Sequence, residues 1–303
     1  MKNMIHKNRG STVSCAFFIL FYLLIVAIPS LVTAENKTFL WKIQSDSNTA
    51  YILGSIHFMK QDSYPLDKRI EDAFEESDVL AVEADVNDVT KINLQKLLET
   101  AFYPENEPLE DHVSDQTYKL VKDAAEDSGI PLLLLNRQKP WFIALTLTSM
   151  ELLKQGLDPS YGIDLHFLTK ASGKKKIAEL ESLDSQIDLL SGFTDTEQEA
   201  FLLHTVDELK TSRKNVDTLI QAWETGDLQL MESLTTESLL SNSGMSSLYE
   251  KLIYKRNRKM VSKIQDFLGT SDTYFIVVGA GHLVGAEGII RLLEKNGYRL
   301  EQI

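Results

Sequence analysis

Two histidines occur in the same local setting. "YILGSIHFM" (51–59) closes an apolar run at Gly54 and reaches His57 three residues later. "YFIVVGAGHLVG" (274–285) closes another at Gly279 and reaches His282 by the same step. Neutral imidazole is a common ligand for divalent transition metals, and ligands of open α/β sheets bind beyond the carboxyl ends of the strands. Glycine tolerates positive φ and close backbone approach, so each run can turn sharply there. Two such elements on neighbouring strands would present two imidazoles to one cleft. For either element alone, chance accounts for the pattern; the repetition, each time directly after an apolar run, favours a shared site.

Glu83 is the third group with chemical potential. It interrupts the apolar stretch "VLAVEADV" (79–86). An unpaired ionised carboxylate in apolar surroundings costs on the order of several kcal/mol, so Glu83 must lie at a strand end, be paired, be protonated or hold a metal. Solvent exposure at the strand end beside Asp85 is the plain alternative. Near two histidines, the carboxylate suits a metal ligand or the base that activates water in metal-assisted hydrolysis.

Other motifs are absent. There is no G-x-S-x-G, H-E-x-x-H, P-loop or EF-hand pattern. Gly279, Gly281 and Gly285 imitate a dinucleotide-binding turn, with Glu301 where a ribose-binding acid would stand, but the chain ends two residues later and nicotinamide binding is not expected. Among the remaining histidines, His112 reads as a surface residue and His204 as a helix residue at the core edge. His166 is ambiguous, since Asp164 precedes it by two positions. Arg256 and Asn257, within "KRNRKM", read first as a solvated helix face.

Composition narrows the partners. The net charge of −13 repels nucleic-acid phosphates and anionic membranes. Lys2, Lys7 and Arg9, the apolar run 15–28, Pro29 and the "VTA" ending at Ala34 have the three parts of a secretory signal. The run is shorter than the ~20 residues of a spanning helix, so cleavage is expected; an uncleaved anchor is the alternative. The expectation is an exported chain, periplasmic or extracellular, with no stable membrane insertion after cleavage and no C-terminal anchor. The single cysteine, Cys15, lies in that segment, which removes disulfides, thiolate–zinc sites and a cysteine nucleophile from the remainder.

The elements that must position these groups follow from periodicity. "FLWKI" (39–43) and "AYILG" (50–54) predict an antiparallel hairpin. "LDKRIEDAFEESD" (66–78) has one apolar helical face, and 79–86 reads as a strand covered on both faces. From 87 to 172 the pattern is helical, with Ser114 as a helix cap, Gly129 as a stop, and a strongly apolar helix from Pro140. "KKKIAEL" (174–180) predicts a strand, 194–268 helices interrupted by a mobile loop at 241–247, and "TYFIVV" (273–278) a buried strand. A helix over 285–297 and a closing strand in "YRLEQI" complete the chain. The expected fold over 35–303 is one α/β domain, a central mixed sheet with flanking helices and a long, mostly helical insertion.

Six segments in order resemble the TraB/GumN family, which is related to the Tiki membrane-anchored metalloproteases. They are "LWKIQSDSNTAYILGSIHFM" with Gly54 and His57; "AVEADV" with Glu83; "YGIDLHF" with Gly162 and Asp164; "LESLDSQ" with Glu181 and Gln186, Ser182 replacing the usual threonine; "RNRKM" with Arg256 and Asn257; and "VVGAGHLVGAEGIIRLLEKNGY" with Gly279 and His282. The resemblance implies that both G-x-x-H elements meet in an α/β domain and that the chain is a divalent-metal hydrolase, a peptidase by kinship. It implies His57 and His282 near a metal of Mn or Co type (Zn being the alternative), Glu83 as ligand or general base, and Arg256 or Asn257 stabilising a tetrahedral intermediate. A peptide or small molecule is the expected substrate, with an ester hydrolase as a variant. A non-catalytic module that captures a peptide, pheromone or metal complex in the same cleft is the competing reading.

Overall fold

A side-chain turn organises the first hairpin. In the computed structural model, which describes residues 37–303 apart from 92, 211 and 238–244, β1 (Leu40–Gln44) and β2 (Thr49–Ser55) pair antiparallel, Trp41 opposite Ile52 and Ile43 opposite Ala50. Ser45 Oγ accepts the N–H groups of Ser47 and Asn48 at 3.1 and 3.0 Å, the local bonding that makes serine a turn former. The Asn48 amide then donates to the carbonyls of Phe267 and Asp272, tying the hairpin to the segment before β5 (Tyr274–Gly279). The expected signal, 1–34, lies outside the described residues, as does 241–244 of the expected loop. Ser246 and Ser247 of that loop instead open a helical turn, Ser246–Tyr249.

β5 lies parallel between β2 and β3 (Val79–Val82), and β3 pairs parallel with β4 (Lys176–Glu179). β6 (Arg299–Gln302) closes the other edge antiparallel to β1. The sheet order is β4-β3-β5-β2-β1-β6, a mixed sheet as expected. Nearly every residue of β2, β3 and β5 is buried, which follows when both faces of a sheet are covered. The four parallel strands share one carboxyl edge, and it carries Ser55, Val82, Glu179 and Gly279.

The main helices are α1 (Lys68–Glu75), α2 (Leu94–Ala101), α3 (Asp115–Ser128), α4 (Pro140–Lys154), α5 (Ile163–Ala171), α6 (Leu183–Ser191), α7 (Asp195–Leu209), α8 (Ser212–Glu224), α9 (Lys255–Leu268) and α10 (Ile289–Lys295). Phe74 of α1, Phe167 of α5 and Phe275 of β5 form a triangle with ring centroids 4.8 to 5.5 Å apart, fixing those two helices on the sheet. Met260, Ile264 and Leu268 of α9 join the same core. A second core forms within the helical insertion, from Val121 and Ala125 of α3, Ile143 and Leu147 of α4, and Leu202 and Val206 of α7. As the sequence predicts, Ser114 caps α3 by accepting the Thr117 N–H, Gly129 ends it at φ 71°, and α4 starts at Pro140. Among the described residues no helix is long and apolar enough to cross a membrane.

Three expectations are corrected. The third strand stops at Val82 rather than running to residue 86, which releases Glu83 from the ladder. The last helix starts at Ile289 rather than 285, because Gly285 takes φ 85° and the chain between is a turn. Gly54 is no turn residue: β2 continues through Ser55, and a Cβ at 54 would overlap the Phe39 ring. Glycine is needed there for close packing, not for positive φ.

Candidate functional site

The register of β2 on β5 puts Ser55 beside Gly279, so the chain leaving each strand carries its histidine from the same edge. His57 follows β2 by two residues. Its Nδ1 lies 2.7 Å from Asp164 Oδ2, and the other carboxylate oxygen of Asp164 accepts the Ser55 hydroxyl at 2.8 Å. Asp164 sits in the first turn of α5, where the helix dipole favours an acid. Gly162, just before that helix, packs against the His57 carbonyl where any Cβ would overlap it, and this brings α5 close enough for the pair. The charge of Asp164 pushes the His57 imidazole up to about 9, although the ring itself is 66% exposed.

His282 stands in a different environment. It ends the turn Ala280–His282 after β5 and is 5% exposed. Asn257 of α9 is fully buried beside it, and its Nδ2 donates to the carbonyls of His282 (3.3 Å) and Glu287 (2.8 Å). Two carbonyls need the amide nitrogen on that side, so Oδ1 is the atom 2.6 Å from His282 Nδ1, and Nδ1 must carry the proton. Nε2 is therefore a bare lone pair. Burial pushes the imidazole down to about 4, so it is neutral at pH 7.

Glu83 is the hub between them. Its Oε1 accepts the Gly279 N–H at 2.7 Å; its Oε2 accepts Arg256 Nη2 at 2.6 Å and Gln186 Nε2 at 3.2 Å. Arg256 also grips Glu181 with Nε and Nη2 at 2.7 to 3.1 Å, and Nη1 donates to the Leu252 carbonyl. Burial is the largest influence on Glu83 and raises its pKa; the pull of His282, Arg256 and His57 and the Gly279 N–H outweigh it and bring the carboxyl down to about 2. Glu83 Oε1 lies 3.8 Å from His282 Nε2. An ionised oxygen thus faces an imidazole lone pair with no proton between them. A cleft of about 340 Å³ opens on Glu83, lined also by His57, Phe58, Val86, Asp164 and Gln186, with His282 buried behind the carboxylate.

The sequence-selected residues are thus gathered: His57 with Asp164, His282 with Asn257, and Glu83 with Arg256, Glu181 and the backbone of Gly279. The role expected for Asn257 does not fit its place, since the polar atoms of its buried amide are engaged with His282 and the Glu287 carbonyl, and it does not line this cleft. His166 is not part of the site; it pairs with Glu71 at 3.3 Å and packs on Tyr64. Ser55, which anchors Asp164, was missed, because only the packing of α5 on the β2 edge reveals it. Among the described residues, no three His, Cys, Asp or Glu side chains converge on one point as a metal cage. In donor chemistry the groups do fit a divalent cation: one ionised carboxylate, one neutral imidazole, and a second imidazole beside the same cleft, each ring with its Nδ1 fixed by an oxygen.

The family model of the TraB/PrgY/gumN family matches residues 39–302. The chain belongs to this family. Within the family's wider kinship, an uncharacterized protein of Escherichia coli, YbaP, is 29% identical over 246 residues, which cover 80% of this chain and 87% of YbaP. Metalloprotease TIKI1 of Xenopus tropicalis is 22% identical and that of Danio rerio 24%; each alignment covers 88% of this chain and 61% and 63% of the relative. No solved structure matches the chain.

Proposed function

We propose that this family member is a metal-dependent hydrolase that cleaves peptides, holding its cation between His282 Nε2 and Glu83 Oε1, with His57 lining the adjoining cleft. The observation that carries the reading is the pair of lone-pair donors 3.8 Å apart, Glu83 kept ionised and His282 kept neutral, each in the protonation state a divalent cation needs. The relatives named metalloproteases support the peptide bond as the target. A cation there would polarise the scissile carbonyl as a Lewis acid.

The protein's own groups have separable tasks in this proposal. Arg256, Glu181 and Gln186 keep Glu83 charged and aimed; Asn257 fixes the tautomer of His282; Asp164, braced by Ser55, orients His57. A carboxyl near 2 is a weak general base, since efficient proton acceptors have pKa values near the working pH, so Glu83 is a ligand rather than the base. The test is metal content and peptide-library digestion, with Mn²⁺ or Co²⁺ supplied, for wild type, His57→Ala and His282→Ala. A stoichiometric cation and cleavage in wild type, with both lost in His282→Ala and cleavage lost in His57→Ala, is the expected result. Peptide capture without cleavage under any divalent cation would overturn the hydrolase reading in favour of a binding module.

A further inference from the structure

In a chain of net charge −13, one cleft is lined by cations. It has a volume of about 950 Å³ and lies between α6 and α9. Lys255, Lys259 and Lys263 stand in it at four-residue intervals, hence on one face of α9, and all three are exposed. None of them has a carboxylate within ion-pair distance among the described residues. The two acids lining the cleft are already matched, Glu179 by Lys91 at 3.0 Å and Glu181 by Arg256 at 2.7 Å. Like charges one helical turn apart repel, so the stripe carries a cost that a bound anion would relieve. A solvated helix face would show the same spacing, but on a convex surface and with acids interspersed.

The cleft also joins the site already described. Gln186, which donates to both Glu83 and Glu181, lines this cleft and the smaller one holding His57. Arg256 lines its inner wall. From Lys255 to Lys263 the helix rises about 12 Å, the reach of roughly three to four extended peptide residues.

We propose that the Lys255–Lys259–Lys263 cleft receives acidic side chains of the substrate, on one side of the bond presented to His57 and Glu83; this rests on the peptidase reading and adds its substrate class. Arg256 is not the recognition group, because its donors are shared by Glu83, Glu181 and Leu252; the three lysines are.

The experiment measures fluorescence anisotropy at low salt with a labelled glutamate-rich peptide and the same peptide with glutamine in place of glutamate. The proteins are the wild-type chain, Lys255→Glu/Lys259→Glu, and Lys119→Glu/Lys122→Glu, which makes the same charge change on exposed α3 positions lining neither cleft. The acidic peptide should bind about tenfold tighter than its glutamine partner, as two or three exposed ion pairs provide. That preference should vanish in the α9 variant, persist in the α3 variant and weaken with salt. Equal binding of the two peptides, or equal loss in both variants, overturns the proposal. Cleavage without charge preference would refute the cleft and leave the hydrolase; charge-selective binding without cleavage under any divalent cation would leave the cleft and refute the hydrolase.

Discussion

Asn257 and Arg256 are adjacent in sequence and do different work. The first has both amide arms engaged with His282 and Glu287, so Asn257→Leu would leave the buried His282 carbonyl, the half-buried Glu287 carbonyl and one imidazole N–H without this partner. We expect about 2–3 kcal/mol lost in urea unfolding and a 10- to 100-fold weaker Mn²⁺ affinity by calorimetry. Retained affinity in a folded variant would show that the tautomer lock is unnecessary. Arg256→Met would leave Glu83 and Glu181, each with a side chain only 10% exposed, without their shared cation. About 3–5 kcal/mol should be lost, and part of it regained in Arg256→Met/Glu181→Gln, where one of the two stranded charges is gone. Titration gives these groups opposite signs. His282 takes a proton near 6.5 unfolded but near 4 folded, so the unfolded chain binds more protons in between and stability falls as pH drops from 6.5 to 4, by about 3 kcal/mol at most. Glu83 adds a further loss as pH falls from 4.5 through about 2. The His57–Asp164 pair runs the other way, its stabilisation full below 6.5 and lost as pH rises through about 9, and exposure keeps it small. Urea midpoints against pH should show the upper acid slope in wild type and lack it in His282→Gln.

At the scale of elements, the strand-edge logic determines where chemistry gathers. The parallel register of β2, β5 and β3 makes three chain exits neighbours, and the early end of β3 frees Glu83 to reach the Gly279 N–H. The hairpin, the buried strands and the helix caps at Ser114, Gly129 and Pro140 were legible in the sequence, because period and capping chemistry act over a few residues. What was not legible arises from contacts far apart in sequence. The Gly54 backbone reads as a turn until the Phe39 ring is seen beside it, and Asp164 reads with His166 until α5 is docked on the β2 edge. The pairing of Asn257 with His282 likewise depends on α9 packing against the turn after β5. Gly54→Ala tests the first of these. It should cost about 1–3 kcal/mol through overpacking against Phe39, with partial recovery in Gly54→Ala/Phe39→Leu. A turn glycine at positive φ would not be rescued by trimming a neighbouring ring.

The whole molecule combines a sheet-centred core with a second core in the helical insertion, and α6 with α9 walls the approach to Glu83. Its net charge is acidic, while three lysines without a carboxylate partner among the described residues share one cleft beside the proposed site, a distribution that would steer an acidic substrate there. Export of the chain, proposed from its first 34 residues, is checked by N-terminal sequencing of protein recovered outside the cytoplasm, which should begin at Glu35; a start at Met1 would favour the anchored alternative. The proposed reaction depends on one divalent cation between Glu83 Oε1 and His282 Nε2. Anomalous diffraction from crystals grown with Mn²⁺ would locate it. A single strong peak within bonding distance of both atoms, absent in Glu83→Gln, is expected; a peak elsewhere, or no peak beside this pair at saturating Mn²⁺, would rule the cation site out.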